Sequence, residues 1–299
     1  MLLLAVAARP FLAFAGDLSP AESVALPVRA PDLASDSDGK APNLALRNSL
    51  IIAGGVSAVI IYGERNWWVD GFDGRFETVN ERWFQADTQW GGADKLGHVY
   101  GNYAGVRLLT SLFKAAGNAP RDSLSLAMWS TLGTYSAIEI ADGYSRNFRF
   151  SPQDFVANFV GAFFAYANEK NPRLDQMIDF RFGYRRTQYA EHWDPVSDYS
   201  GQRYYLVLKA DAFDSLRANP MTRYLELAAG YGVQNYASWG RGYNERERDI
   251  YVGVSLNLSR LMADAFYGGS KDSSTTQKVA DEAFELIQFP TAVYAKHGL

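Results

Sequence analysis

The chain has 299 residues and a formal net charge of −4, long enough for one large domain or two modest ones with ample core. That charge argues against the clustered Lys/Arg footprint of a nucleic-acid or anionic-membrane binder. No cysteine is present, so these residues supply no disulfide, thiolate metal site, Cys nucleophile or lipid-bearing cysteine.

Aromatic residues make up 14%, which suits large cores, sugar- or lipid-facing surfaces and the interfacial belts of membrane proteins alike. Residues 1–15 read as an export signal. They are apolar, Ala13-Phe14-Ala15 before Gly16 has the small-x-small pattern of a cleavage site, and Arg9 alone stands for the usual positive start. The plain alternative is a buried or disordered N-terminal segment. Residues 16–43 are rich in Pro, Ser, Asp and Ala, the composition of a solvated linker.

A helical domain is expected over 44–172 and a β-rich region with a terminal helix over 173–299. The first strong apolar run, Leu50 to Tyr62, has 13 residues, short of the roughly 20 that span a bilayer. It reads as a buried or an interfacial helix. Trp67-Trp68, Trp83-Phe84 and Trp90 follow in a Gly/Asp-rich stretch, more in keeping with a packed lid than with a ligand platform.

Three helices are then predicted. Lys95 to Ala116 closes at Gly117, Ser123 to Ala141 lies between Pro120 and Gly143, and Pro152 to Asn168 begins at Ser151-Pro152-Gln153-Asp154. The last start has Ser as cap, Pro first and an acid third, a good helix opening. After Pro172 the apolar period changes to two, over Asp179 to Tyr184, Tyr204 to Ala210, Leu225 to Val233 and Ile250 to Leu258. These resemble outer-membrane strands in composition. About four are too few for a closed barrel of eight or more, so a small sheet is expected. An amphipathic helix from about Thr275 to Gln288 ends the pattern. The predicted fold is α+β, mainly α: an antiparallel helical bundle, then a small antiparallel β-sheet and a C-terminal helix.

Three polar clusters interrupt the apolar helices. Asp94 and His98 share a helical face four apart, Glu139 and Asp142 three apart, and Asp154 and Asn158 four apart. They fall at the start, end and start of successive helices. Short connections favour antiparallel neighbours, which would gather all three at one end of the bundle. His98, Glu139 and Asp154 are the candidate catalytic residues. Asp94, Lys95, Asp142, Arg149, Ser151 and Asn158 are candidates for ligand binding, with Arg146 in the same loop.

Each has a plainer role. Asp94 and Asp154 suit helix capping, and His98 suits a hydrogen-bonded core histidine. Glu139 is harder to dismiss, because a buried acid near a helix C-terminus needs a partner. Imidazole with carboxylates suits Zn, Mn or Fe, but Lys95 argues against a cation and no metal is assigned. Otherwise His98, oriented by Asp94 or Glu139, serves as general base while Lys95, Arg146 or Arg149 binds an anionic head group. No cofactor is identified. His192 and His297 are isolated.

Asp94-Lys95-x-x-His98, Glu139-x-x-Asp142-Gly143 and Phe150-Ser151-x-x-Asp154-x-x-x-Asn158-x-x-Gly161 together resemble the YfiM-like family of uncharacterised, predicted periplasmic lipoproteins. The order is also similar to that of VanZ-like membrane proteins. Asp198 to Gln202, Gly230-Tyr231-Gly232 and Ile250 to Leu258 look like parts of longer YfiM-like members. The resemblance implies an envelope location and a helical core, and names no reaction. VanZ-like membership would imply bilayer insertion; Arg107, Lys114, Asn158 and the shortness of the helices favour a periplasmic, membrane-associated protein. Three functions are carried forward. One is binding of a polar or anionic ligand, such as a lipid head group at a membrane surface. The others are hydrolysis or transfer on envelope lipid or glycan, and a structural polar network.

Overall fold

A computed structural model describes residues 43–190, 193–236, 245–270 and 273–299. The expected signal segment 1–15, the linker up to 42 and His192 lie outside the described residues. Within them the fold is α+β, mainly α.

Helix α1, Leu44–Asn66, opens where the Asn43 side chain accepts the Leu46 N–H. Its 23 residues exceed the expected 13-residue run because Leu44 to Ser49 extend it from that cap and Gly63 to Asn66 continue it past Tyr62. The expectation of a buried helix is not met: of α1 only Gly63 is buried. By length and composition α1 is apolar enough to cross a membrane.

Helices α2 (Ala93–Ala115), α3 (Pro120–Tyr144) and α4 (Pro152–Lys170) form the bundle. Their boundaries follow local chemistry. Pro120 and Pro152 sit in the first turns of α3 and α4, and Ser151 accepts the Asp154 N–H at 3.3 Å. Small residues let the backbones approach. A Cβ added at Gly161 would run into the Val99 carbonyl, and one at Gly105 would lie 2.9 Å from Thr131. Tyr100, Tyr103, Phe113, Leu124, Met128 and Leu132 fill the core.

The sheet follows α5 (Pro172–Met177). Its strands are β1 (Ile178–Tyr184), β2 (Gln202–Lys209), β3 (Leu225–Gln234), β4 (Glu247–Leu256) and β5 (Val293–Gly298), with α6 (Asp214–Ala218), α7 (Leu258–Phe266) and α8 (Thr275–Leu286) between them. All pairings are antiparallel, in the order β1-β2-β3-β4-β5. Two corrections result. The sheet has a fifth strand beyond the four expected, and the last described element is that strand rather than the helix. Val293 to Gly298 is a short edge segment held through β4 alone, so its own alternation is too brief to announce it.

Bundle and sheet share one core. Phe180, Tyr204 and Leu286 belong to the same apolar cluster as Tyr100, whose hydroxyl donates to the Leu286 carbonyl at 2.7 Å. This anchorage fixes the start of α2, where the polar clusters lie.

Candidate functional site

The site begins with Lys95 in the first turn of α2, its side chain only 4% exposed. Burying an ammonium requires partners. Its Nζ lies 2.9 Å from Asp94 Oδ2 and 2.7 Å from Asp154 Oδ1, and pairs closely with Glu81. One turn along, the His98 ring lies between carboxylates. Nε2 is 3.7 Å from Asp94 Oδ1, while Nδ1 is 3.4 Å from Glu139 Oε1 and 3.0 Å from Asn158 Oδ1. Asn102 Nδ2 donates to the same Asn158 oxygen at 2.7 Å.

The margins are equally built. Tyr199 donates its hydroxyl to Asp94 at 3.1 Å, and Trp68 donates its indole N–H to Asp142 at 2.6 Å. Trp68 reaches Asp142 because the aromatic loop folds over the end of α3, where Phe72 bridges Ser145 and Thr78 bridges Phe150.

The structure therefore brings together Asp94, Lys95, His98, Glu139, Asp142, Asp154 and Asn158, with Ser151 capping α4 beside them. It does not bring Arg149 or Arg146. Arg149 pairs with Glu77 and donates to the Phe148 carbonyl at 2.7 Å, and Arg146 is exposed. A short loop let both arginines be placed near the site, but its turn directs them away.

Glu81, Asn102, Tyr135, Tyr199 and Trp68 were not foreseen. Asn102 was readable, since it continues the Asp94, His98 face by another four residues. Glu81 and Tyr199 sit in irregular segments with no period to place them.

Five carboxylates (Glu81, Asp94, Glu139, Asp142 and Asp154) face two cations here, and proton affinities adjust. Burial pushes Glu139 up to about 7, with the Asp142 and Asp94 charges adding to the rise and His98 opposing it. Burial likewise raises Asp142 to about 7 against the Trp68 hydrogen bond, and Glu81 to about 7 with help from Asp94 and Asp154. Asp154 also rises, through burial and then the Asp94 charge. Asp94 alone falls: burial raises it, but Lys95 and His98 together outweigh that. His98 would be lowered by burial, yet Asp154, Glu139 and Asp94 carry it up to about 9. The same balance raises Lys95, through Asp94, Asp154 and Glu81. At neutral pH the imidazole is thus a held cation, and the groups poised to exchange protons are acids.

Asp94, His98 and Asp154 also offer ligand atoms within 4.8 Å of one another, a set that suits a divalent ion. The Lys95 ammonium already bridges both aspartates. It stands where such an ion would sit, so a metal would have to displace a buried ion pair.

Beside the cluster runs a small apolar groove of about 50 Å³, open to solvent, between α1, α2 and α3. Ile51, Ile52, Val56 and Val59 form one wall, Leu108 and Leu109 the other, and Thr131 and Tyr135 its polar side. The buried Thr131 Oγ1 makes no hydrogen bond among the described residues. The Tyr135 ring meets the His98 ring edge-on, centroids 6.2 Å apart, so groove and cluster are one ring apart.

Residues 80–170 match the family described as predicted periplasmic lipoprotein (DUF2279). That stretch holds every member of the cluster, from Glu81 to Asn158. The match supports an uncharacterised periplasmic lipoprotein family and agrees with a periplasmic, membrane-associated place in the cell envelope. No curated protein and no solved structure matches the chain.

Proposed function

We propose that this envelope protein binds a single amphiphile, with its chain in the groove between α1, α2 and α3 and its polar head toward the His98 cluster. One juxtaposition carries the reading. An apolar groove lined by Thr131, whose buried hydroxyl has no hydrogen-bond partner among the described residues, ends one aromatic ring from a buried ionic cluster. Buried hydroxyls are seldom left unpaired, and an apolar cleft with a few convergent polar groups is the usual form of a small-molecule site. The surplus of carboxylates favours an uncharged or amine-bearing head over the anionic one first expected, because Arg149 and Arg146 do not reach the site.

A hydrolase or transferase acting on envelope lipid or glycan is the second reading, and the proton affinities support it. Glu139 and Asp142, both raised to about 7, suit proton transfer near neutral pH better than His98 does. The base then moves from His98 to Glu139, with His98 as the positively charged neighbour. A kinship with YfiM-like or VanZ-like proteins rests on the order of the motifs.

Gly55→Leu tests the binding. Gly55 lines the groove and an added Cβ there meets nothing within 4 Å, so a larger side chain can be introduced on that wall. Wild-type protein purified in mild detergent should retain a stoichiometric amphiphile, seen by extraction and mass spectrometry. The variant should lose it without losing thermal stability. Wild-type protein that retains none, and takes up none of an added amine-headed single-chain lipid, would leave the cluster as a structural network.

A further inference from the structure

We infer that the aliphatic face of the sheet is a bilayer-contacting surface, independent of any ligand in the bundle. The sheet is turned inside out relative to an ordinary soluble one, which buries its apolar face and solvates its polar face. Its buried face is charged. Arg181 donates twice to Glu226, at 2.7 Å each, Lys209 Nζ lies 2.5 Å from Asp179, and the Ser255 hydroxyl donates to Glu226 at 2.9 Å. Tyr205 and Tyr294 stack over this network with centroids 5.0 Å apart.

The other face carries two aliphatic rows in register. One is Leu206, Ala229, Val252 and Ala295, and the next is Leu208, Leu227, Val254 and Val293. Leu227 is 52% exposed, Val252 51% and Val293 82%. Among the described residues the bundle and the segment before it cover this face at Phe180, Phe182, Tyr204 and Tyr231.

Alternation of apolar-out with polar-in is the pattern of a lipid-facing β wall. From Ile250 to Leu256 the apolar stretch runs ~20 Å, close to the ~25 Å band of membrane barrels. Between those residues the rows of β2, β3 and β4 hold no charged side chain. A protein partner would normally find hydrogen-bonding groups that fix its register, and hydrocarbon requires none. The β5 edge sets the depth. Its outer backbone groups have no strand partner among the described residues, and an open edge is not tolerated inside hydrocarbon. The sheet therefore lies face-down at the boundary of head groups and acyl chains, rather than crossing.

The absence of cysteine makes single-cysteine reporters clean. Val252→Cys and Leu227→Cys, carrying an environment-sensitive fluorophore in the full chain, should blue-shift on adding phosphatidylcholine vesicles. Arg121→Cys, at the exposed start of α3, should not. In the unlabelled chain, Leu227→Lys with Val252→Lys should lower the vesicle-bound fraction about tenfold or more with an unchanged circular dichroism spectrum. If that double variant unfolds, the reporters alone decide. Vesicle binding with no shift at 227 and 252 would overturn the inference, since another surface would then hold the membrane. So would a shift that grows with protein concentration without vesicles, which would mark a second copy as the occupant, or no vesicle binding at all.

Discussion

Replacing Glu139 by Gln should remove a defined share of the pH sensitivity that this cluster imposes on stability, the rest staying with Asp142, Glu81, Asp154 and His98. Glu139 is 2% exposed, and burial raises its proton affinity from 4.5 to about 7. A group whose folded-state value lies above its unfolded one stabilises the fold fully below the unfolded value, and that contribution is lost as pH rises through the folded one. At ~1.4 kcal/mol per tenfold in proton affinity, ionising Glu139 costs the folded state about 1 kcal/mol at pH 5 and about 3 kcal/mol at pH 8. The swing of about 2.5 kcal/mol corresponds to roughly 5–10 °C in Tm for a domain of this size. His98, raised from 6.5 to about 9, acts in the same direction over a higher window. Thermal unfolding followed by circular dichroism at pH 5 and pH 8 measures the effect. Wild-type protein should melt lower at pH 8, and Glu139→Gln should narrow the gap by that amount and gain stability at pH 8. A variant that keeps the full wild-type gap, or is weakened at pH 8, would show that Glu139 is not held protonated by burial.

Lys95→Met removes the ammonium that joins Glu81, Asp94 and Asp154. It should cost about 3–5 kcal/mol at pH 7 and less at pH 5, by urea denaturation. Gly161→Ala should destabilise by about 1–3 kcal/mol, despite alanine's higher helix propensity, because the new Cβ meets the Val99 carbonyl. The same urea series reads it. Arg149→Ala should leave stability within about 1 kcal/mol and leave any retained amphiphile unchanged, because Arg149 pairs with Glu77 outside the cluster.

The bundle was legible because its signals are local. Ser151, Pro152 and Pro120 state where helices start, Gly105 and Gly161 sit where they touch, and the antiparallel order then brings His98 to 3.4 Å from Glu139. Four strands were legible for the same reason, since alternation at Ile250 to Leu256 needs no tertiary information. Two things required the third dimension. Glu81 reaches Lys95 from an irregular loop whose path is set by the Phe72 and Thr78 bridges. The length of α1 depended on the Asn43 cap and on residues before the apolar run. The polarity of the sheet lay between these cases. Its alternation was visible, but the charged face is buried while the apolar face is covered only in part, at residues such as Phe180 and Tyr204, and alternation alone does not say which face goes inward.

Nitrogen-15 NMR of the imidazoles tests the coupling of cluster and groove most directly. The chain has three histidines, so His98 can be assigned by its loss in His98→Gln. The His98 imidazole should stay protonated through neutrality and titrate at about 9. Its resonances should move when an amine-headed single-chain lipid is added to wild-type protein, and not when it is added to Gly55→Leu. A His98 that titrates near 6.5 and ignores the lipid in both proteins would contradict that coupling.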